Sequence, residues 1–282
     1  MTCVVPARPV LKWAGGKTQL LPQILERLPA RIETFFEPFV GGAAVFFALA
    51  AEGRFQRAVL ADRNPDLVAV YRALQADAEA VIDELSQMRH SEAEYYRIRE
   101  LSPRRLAQRA ARVIYLNKTG YNGLYRVNRS GQFNVPFGRY KKPNICDAEN
   151  LRAAARVLEG VEIVEADFEE VCARARPGDA VYLDPPYVPL SKTANFTAYA
   201  RHPFGPSEHQ RLARAFTELE RRRVAAVLSN SDTPETRALY RGFRAKKVQV
   251  SRAINSRPTA RGPIDELLVV AERLKRPRSR AS

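Results

Sequence analysis

The chain has 282 residues, of which 45% are hydrophobic, and a formal net charge of +15 at pH 7, so it suits one large domain or a domain with an insertion. It lacks the run of about 20 apolar residues that a membrane-spanning helix needs, a secretory signal, and the cysteine or histidine spacing of a disulfide framework or metal site. We therefore expect a cytoplasmic protein that binds neither a metal nor a membrane.

The first part of the chain predicts two strands, each followed by a helix. Residues Thr34–Val40 form an apolar run typical of a buried strand, and after a Gly-Gly pair a helical pattern continues to Gly53. Residues Arg57–Asp62 predict a second strand that ends in an acid, and residues 65–88 follow a helical period. Such strand–helix pairs are the units from which parallel sheets are built.

The alternation of strands and helices resumes after residue 147. The pattern predicts strands over 161–167, 180–184 and 224–230, a helix near 206–223, and a final hairpin made of 245–254 and 265–272. Strands that alternate with helices imply an α/β fold, with a mostly parallel sheet covered on both faces.

Residues 65–147 interrupt this alternation with further helical stretches and a segment rich in Gly and Asn. We therefore predict an inserted, mainly helical domain at 65–147. The flanking ranges 1–64 and 148–272 would form one discontinuous domain, followed by a basic tail at 273–282.

The excess of positive charge is concentrated in two places. The stretch 101–146 contains no acid, and its ten basic residues are Arg104, Arg105, Arg109, Arg112, Lys118, Arg126, Arg129, Arg139, Lys141 and Lys142. The tail adds Arg273, Lys275, Arg276, Arg278 and Arg280. A localised excess of this kind is typical of a site for a polyanion, although basic tails also occur as solvated, disordered ends.

Aromatic residues are interleaved with the charges of the first stretch. They are Tyr115, Tyr121, Tyr125, Phe133, Phe137 and Tyr140. Cations that bind phosphates, polar groups that read base edges, and rings that stack or wedge together favour a nucleic-acid surface. A glycine-rich hairpin with ordinary packed rings is the alternative.

Three predicted strand ends carry residues suited to a ligand, and in α/β folds ligands bind at the carboxyl ends of the strands. Gly41 and Gly42 permit a tight turn and the close approach of a ligand. Asp62 lies 21 residues after Gly41, near the spacing at which a strand-end acid binds ribose hydroxyls. With Asp184 at a later strand end, these residues predict an adenosine-containing cofactor beside a reactive carboxylate.

The tetrapeptide that begins at Asp184 reads Asp-Pro-Pro-Tyr. Each proline holds the residue before it extended and provides a carbonyl but no N–H, so Asp184 and Pro185 form a rigid strip of acceptors. Two acceptors can hold both hydrogens of an exocyclic amine and direct its lone pair at an electrophile, while Tyr187 stacks on the ring. A flipped-out base suits this pocket. An ordinary turn with a solvated Asp184 is the alternative.

Several segments follow one another in the order found in the DNA adenine methylase family, which the chain resembles over nearly its whole length. They are LKWAGGK (11–17), EPFVGGAAVFF (37–47), LAD (60–62), GYNGLYRVNRSGQFNVPFGRYKKP (120–143), DPPYVPLSKTANFTAY (184–199), and then LSNSDT and IDELLV. The resemblance implies a Rossmann-like methyltransferase sheet, S-adenosylmethionine as the cofactor, and N6 of adenine in double-stranded DNA as the methyl acceptor.

The resemblance also implies roles for individual residues. The cofactor-binding positions are Trp13, Lys17, Glu37, Phe39, Gly41, Gly42, Asp62, Asp167 and Asp184, with Asp167 near the adenine of the cofactor. The catalytic positions are Asp184, Pro185, Pro186 and Tyr187. The positions that contact DNA are Lys118, Tyr121, Asn122, Leu124, Arg126, Asn128, Pro136, Arg139 and Lys141. The sequence-reading element is therefore expected inside the inserted domain.

The chain departs from the family pattern at two positions. The family's glycine loop often reads Phe-x-Gly-x-Gly, whereas Gly42 is followed here by Ala43, which costs little unless that position needs a positive φ. Lys118 stands where some relatives have Arg. The mechanism that the resemblance implies is direct transfer without a covalent intermediate or a metal, and GATC is the target that it favours.

Three other interpretations are open from the sequence. WAGGKT resembles a phosphate-binding loop of an NTPase, but that pattern requires a glycine at Leu11 and a preceding strand. Acceptor strips like Asp-Pro-Pro-Tyr also serve amines of RNA bases, cytosine and protein glutamine. A non-catalytic DNA-binding protein with a decayed site is the third, and the intact strip disfavours it.

Overall fold

A computed structural model describes residues 6–13, 17–128, 130–188, 204–251 and 263–273. Within these ranges seven strands form one sheet in the order β3-β2-β1-β4-β5-β7-β6. The strands are β1 (Ile32–Glu37), β2 (Phe55–Asp62), β3 (Glu162–Glu165), β4 (Ala180–Leu183), β5 (Ala225–Ser231), β6 (Phe243–Ser251) and β7 (Pro263–Arg273).

The helices of the described ranges connect and cover these strands. They are α1 (Leu21–Leu25), α2 (Ala44–Ala51), α3 (Pro65–Ser86), α4 (Glu92–Glu100), α5 (Leu106–Thr119), α6 (Ala148–Leu158), α7 (Phe168–Arg174), α8 (Pro206–Arg221) and α9 (Pro234–Leu239), with a 3₁₀ turn at Tyr121–Gly123. Five of them begin at a polar side chain that accepts a bond from a backbone N–H of the first turn, as helix N-termini require. The capping residues are Asn64, Ser91, Asp147, Asp167 and Thr233.

The sheet is doubly wound. Strands β1 to β5 pair in parallel, whereas β7 runs antiparallel to both β5 and β6. Chain order runs outward from β1 to β3 on one side and from β4 on the other, so the order reverses between β1 and β4. In open α/β sheets the ligand crevice lies at this switch point, beyond the carboxyl ends of the strands. The α/β class and the Rossmann-like sheet predicted from the sequence are confirmed.

Both faces of the sheet are buried, each in its own hydrophobic cluster. Phe35 and Tyr182 pack on the face covered by α2, α3 and α5. Their chain neighbours Phe36 and Val181 pack on the opposite face, under α7 and α8. Because neither face meets solvent, the central strands appear in the sequence as continuous apolar runs instead of alternating patterns.

The helical part of the range 65–147 lies in α3, α4 and α5. Buried residues of these helices, such as Tyr71 and Ile114, belong to the same cluster as the strand residue Phe35. Helix α3 is interrupted at Asp77, which has φ −163° and ψ 89° and accepts a bond from Ala80 N at 2.9 Å. The division into an inserted domain and a discontinuous catalytic domain stays a prediction.

Several elements differ from the sequence-based prediction, and β1 and α7 are two of them. Strand β1 begins at Ile32 and ends at Glu37 instead of spanning Thr34–Val40, since Pro38 has no N–H for the ladder. Helix α7, between β3 and β4, was not predicted, because its seven residues are too few to show a helical period. The terminal hairpin is confirmed in the antiparallel pairing of β6 with β7, although its connection at 252–262 lies outside the described residues.

Two buried asparagines attach the N-terminal segment to the body of the protein. The backbone N–H of Arg8 donates to Asn150 Oδ1 at 2.9 Å, and Asn150 Nδ2 donates to Arg8 O at 3.1 Å. Asn117 makes the same pair of bonds with the N–H and C=O of Lys12, both at 2.8 Å. Each amide therefore pairs with the segment as a neighbouring strand would, which fixes the position of Trp13 directly after it.

Candidate active site at the carboxyl ends of the strands

The turn between β1 and α2 has a left-handed backbone at two positions. Gly41 has φ +44° and Ala43 has φ +55°. The sequence predicts little cost for Ala43 unless its position needs a positive φ, and in the structure the φ of Ala43 is positive. An L-residue in this region costs about 1–2 kcal/mol. The turn therefore stores strain at the place where a ligand would approach.

Asp62, at the end of β2, is held against this turn. Its carboxylate accepts the N–H of Gly41 at 3.3 Å and the N–H of Asn64 at 2.9 Å. Burial raises the pKa of Asp62 to about 6, although the backbone N–H donors oppose this shift. The side chain is thus a desolvated acceptor that hydrogen-bond donors of a ligand would stabilise in its ionised form.

Trp13 packs over the glycine turn. A Cβ atom placed on Gly41 would lie 2.7 Å from Trp13 Cδ1, so only glycine fits under the indole. The ring centroid of Trp13 lies 5.3 Å from that of Tyr125, whose hydroxyl donates to Asp66 at 2.8 Å. The indole therefore lies between the turn after β1 and the basic segment that follows α5.

Asp167 lies just after the end of β3, and Phe39 lies just after the end of β1. Asp167 caps α7 and pairs with Arg63 at 2.7 Å and with Arg211 at 2.8 Å. Phe39 stacks on Phe168 with a centroid distance of 5.4 Å and an interplanar angle of 24°. An aromatic wall and a strand-end acid thus flank the crevice on the side of β2 and β3, where the adenine of a cofactor is expected.

Asp184 follows the last residue of β4, as the sequence predicts, and two donors bind the same oxygen of its carboxylate. Lys17 Nζ lies 2.8 Å from Oδ1, and the hydroxyl of Ser229 donates to Oδ1 at 2.9 Å. The Lys17 side chain is buried, with 3% of its residue surface exposed. Because a buried ammonium requires a nearby anion, this ion pair fixes the position of both residues.

Tyr187 is anchored at its hydroxyl and contacted on its ring. The hydroxyl donates to Glu266 Oε2 at 2.7 Å, and Lys17 Nζ lies 4.8 Å from the ring centroid. Burial and the charges of Asp184 and Glu266 raise the pKa of Tyr187 well above its usual value, so the hydroxyl stays a donor. Pro185 is buried and Pro186 is exposed. The strip is therefore held at both ends.

Glu37 lies beneath these groups at the end of β1. Burial, with the nearby charge of Asp184, raises the pKa of Glu37 well above its usual value, while the N–H of Phe46 and the charge of Lys17 act in the opposite direction. The N–H of Phe46 donates to Glu37 Oε2 at 3.2 Å. The site thus combines one buried ammonium with the carboxylate of Asp184 and with Glu37, whose protonated form is favoured by burial.

The segment after α5 forms an irregular hairpin. Isolated antiparallel bridges join Gly120 to Phe137 and Val127 to Phe133. The guanidinium of Arg126 donates to the side chain of Asn134 at 2.7 Å and to its carbonyl at 3.0 Å. These contacts restrain an arginine that otherwise lies on the surface.

The predicted DNA-contacting residues differ in exposure. Those on the surface are Tyr121, Arg126, Pro136, Arg139 and Lys141, and those partly buried are Lys118, Asn122, Leu124 and Asn128. Tyr121 is 42% exposed, an unusual degree for so large a ring. Burial lowers the pKa of Lys118, and the nearby Asp147 partly opposes this. Lys118 is therefore the one member of the set whose ammonium is shielded within the protein.

Sequence reasoning missed the residues that orient the predicted ones. Ser229 and Glu266 lie within LSNSDT and IDELLV, which carried the resemblance but received no role. Arg63 and Arg211 bind Asp167, and Asn117 holds the N-terminal segment. The motifs of Ser229 and Glu266 were visible in the sequence, but the contacts of all five residues join positions far apart along the chain.

In the described part of the chain, no group of three or more His, Cys, Asp or Glu residues is arranged to hold a metal ion. Among the helices described, none is long and apolar enough to cross a membrane.

The fold and the site together define an α/β methyltransferase. Its doubly wound sheet places a glycine turn, a desolvated strand-end acid and an Asp-Pro-Pro-Tyr strip around one switch point. Over residues 13–254 the sequence matches the family described as D12 class N6 adenine-specific DNA methyltransferase, and the chain belongs to this family. It is therefore an enzyme that methylates N6 of adenine in DNA, which excludes the NTPase interpretation.

Similar proteins cover nearly the whole chain. It is 40% identical over 275 residues to the Type II methyltransferase M1.LlaDCHI of Lactococcus lactis subsp. cremoris, covering 93% of this chain and 94% of that protein. It is 41% identical over 284 residues to the Type II methyltransferase M.MjaIII of Methanocaldococcus jannaschii, covering 93% and 98%. It is 39% identical over 269 residues to the DNA adenine methylase of Escherichia coli K12, covering 93% and 95%.

The glycine turn makes a testable prediction, for which Gly53 provides a matched control. Gly41→Ala combines a positive φ with a Cβ atom 2.7 Å from Trp13, whereas Gly53→Ala has a positive φ of +61° and no heavy atom within 4 Å. Both variants should lose about 1 kcal/mol or more of unfolding free energy, and Gly41→Ala should lose the larger amount. Only Gly41→Ala should shift the emission of Trp13, the single tryptophan. Urea titrations with equal losses and unchanged emission would contradict this packing.

Proposed function

We propose that this enzyme transfers the methyl group of S-adenosylmethionine to N6 of an adenine that is flipped out of double-stranded DNA, at GATC-like sites. The observation that carries the proposal is the Asp184 carboxylate at the end of β4, which Lys17 and Ser229 hold by one oxygen beside the crevice. Family membership supports the reaction, and the resemblance in the basic segment supports the target.

The residues of the crevice suit S-adenosylmethionine. Asp62 is a desolvated acceptor at the position expected for ribose hydroxyls, and it binds the N–H of Gly41 in the turn on which Trp13 packs. Phe39 and Asp167 provide a ring and an acceptor for adenine, and Trp13, Lys17 and Glu37 complete the set. When bound, S-adenosylmethionine supplies an electrophilic methyl group on a sulfonium centre.

The acceptor strip prepares the amine for attack. One oxygen of Asp184 and the carbonyl of Pro185 accept the two hydrogens of N6, which draws charge toward the nitrogen and aims its lone pair. Neither Pro185 nor Pro186 has an N–H that would compete for that lone pair. Catalysis of this kind consists of positioning and electrostatic stabilisation by groups already in place before the reaction.

The ring of Tyr187 supports the extruded base. Lys17 contacts the ring at 4.8 Å from its centroid, so the base would stack on the opposite face. The hydrogen bond to Glu266 holds the ring in one orientation without a ligand, which lowers the entropy cost of stacking. A flipped base read by stacking and by hydrogen bonds to its edge is the usual arrangement for enzymes that act on bases.

The hairpin after α5 would read the surrounding sequence. Arg126, held by Asn134, presents a guanidinium that can bind O6 and N7 of a guanine as a fork. Tyr121, exposed on the 3₁₀ turn, suits a wedge beside the vacated base position. The surface cations Arg139 and Lys141 suit phosphate contacts.

The raised pKa of Asp62 predicts how cofactor affinity depends on pH. Above about pH 6 the ionised carboxylate accepts from the ribose, and below it protonation removes that acceptor. Affinity for S-adenosylmethionine should therefore fall as the pH drops through 6, by up to about tenfold per unit. Calorimetry between pH 5 and 8 measures this, with Asp62→Asn as the matched variant that should bind weakly with a flatter profile. Unchanged affinity in Asp62→Ala would remove Asp62 from the cofactor site.

Sequence reading can be separated from general attraction to DNA. Arg126→Ala should relax discrimination at one base pair by about 1–3 kcal/mol, because the fork contact is lost. Loss of a tail arginine, as in Arg278→Ala, should weaken binding equally on all sequences and flatten the salt dependence. Binding to a panel of single-base variants of GATC at two salt concentrations distinguishes the two. A uniform loss in Arg126→Ala would reassign Arg126 to a phosphate.

Asp184→Ala tests the acceptor strip directly. The variant removes the charged acceptor and leaves Pro185, Pro186 and Tyr187, so DNA binding should survive while methyl transfer falls by at least about 10²-fold. Single-turnover transfer with DNA and cofactor both saturating separates chemistry from binding. Asp184→Asn, which keeps one uncharged acceptor, should retain more activity than the alanine variant. A near-normal rate in Asp184→Ala would refute the mechanism.

A further inference from the structure

We propose that Ser229, oriented by Tyr182, is a positioning residue that makes the two oxygens of Asp184 unequal. Together with Lys17 it saturates Oδ1, so that Oδ2 alone is presented to the amine of the target base. The inference rests on the proposed role of Asp184 as an acceptor for N6, and the experiments below can contradict the inference without contradicting that role.

The fold brings these side chains together through the parallel pairing of β4 and β5. Leu183 lies beside Leu228 in the register, so the next residues, Asp184 and Ser229, are neighbours across the strands. Tyr182 lies two residues before Asp184 and therefore points to the same face of the sheet. The sheet thus places a phenol, a hydroxyl and a carboxylate on one face, at its carboxyl edge.

The direction of the hydrogen bonds follows from their chemistry. The carboxylate of Asp184 only accepts, so the hydroxyl of Ser229 donates its single hydrogen to Oδ1 at 2.9 Å. The bond of 2.9 Å between Tyr182 and Ser229 must then have the phenol as its donor. Burial, together with the charge of Asp184, raises the pKa of Tyr182 well above its usual value, which keeps the phenol protonated. The two hydrogen bonds therefore run in one direction, from Tyr182 to Ser229 and from Ser229 to Asp184.

Burial makes these two hydrogen bonds hard to exchange for others. Ser229 and Tyr182 are 0% and 1% exposed. A buried hydroxyl without a partner costs about 1–3 kcal/mol, whereas a fully bonded network holds its members in one arrangement. Ser229 therefore has few alternatives to the bond that it makes with Asp184.

These contacts fix the orientation of the Asp184 carboxylate. Lys17 and Ser229 both bind Oδ1, so Oδ2 is the oxygen left for the target amine. A carboxylate held by one oxygen through two donors cannot rotate freely, so the free oxygen keeps one direction. An amine with two hydrogens needs its acceptors at fixed angles, here Oδ2 and the carbonyl of Pro185. Loss of Ser229 should therefore slow the chemical step more than it weakens binding.

The first test compares Ser229→Ala, Ser229→Cys and Tyr182→Phe in single-turnover methyl transfer at saturating DNA and S-adenosylmethionine. Ser229→Ala should lower the rate about tenfold, the size expected for losing a hydrogen bond to a charged group. Dissociation constants for DNA and cofactor should change less than about twofold. Ser229→Cys should recover part of the rate, because a thiol is a weak donor of similar shape. Tyr182→Phe should lower it less than Ser229→Ala does.

The matched control removes a buried hydroxyl elsewhere. Thr236 on α9 is 0% exposed and its hydroxyl contacts Thr233 Oγ1 at 3.1 Å, so Thr236→Val should lose stability without losing rate. If Ser229→Ala does not fold well enough to assay, Ser229→Cys and Tyr182→Phe carry the test. In that case a normal rate in both variants overturns the inference.

A double variant distinguishes positioning from general damage. Because Ser229 acts through Asp184, adding Ser229→Ala to Asp184→Ala should cause no further loss of rate, and an additional tenfold loss would overturn the inference. A normal rate in Ser229→Ala beside an impaired Asp184→Ala would also overturn it while leaving the proposed function intact. A normal rate in Asp184→Ala would refute both.

Discussion

The arrangement of the active site depends on one buried ion pair, between Lys17 and Asp184. A buried ammonium loses its hydration and is stable only where an anion and further polar groups replace the water. Asp184 lies at the end of β4, and Lys17 comes from the N-terminal part of the chain, so the pair joins two distant parts of the sequence. The position of the acceptor strip is therefore coupled to correct docking of that part.

The carboxyls around this pair show a conflict between function and stability. Burial raises the pKa values of Glu37 and Asp62, which means that their ionised forms are destabilised in the folded protein. Ala43 adds backbone strain in the turn between them. Groups that are poorly solvated before a ligand arrives gain most when its donors reach them, so these costs are consistent with a preorganised site.

The proposed cofactor side and the proposed DNA side of the enzyme share residues. Tyr125, in the basic segment, contacts Trp13 over the glycine turn and donates to Asp66 at the start of α3. Asn117, at the end of α5, binds both Lys12 and the carbonyl of Gly123. A displacement of the hairpin by DNA would therefore be transmitted to Trp13 through direct contacts, without any separate linking element.

The sequence by itself determined the strands, the glycine turn, the strand-end acids Asp62 and Asp184, and the acceptor strip, because these features depend on local patterns and on the stereochemistry of Gly and Pro. Only the tertiary structure decided that Ala43 is left-handed, that Ser229 and Lys17 share one oxygen of Asp184, and that Glu266 anchors Tyr187. The residues of these pairs lie tens of residues or more apart in the sequence. Their contacts arise from strand order and register, which no local pattern encodes, since pairing across a sheet depends on how the whole chain buries its two faces.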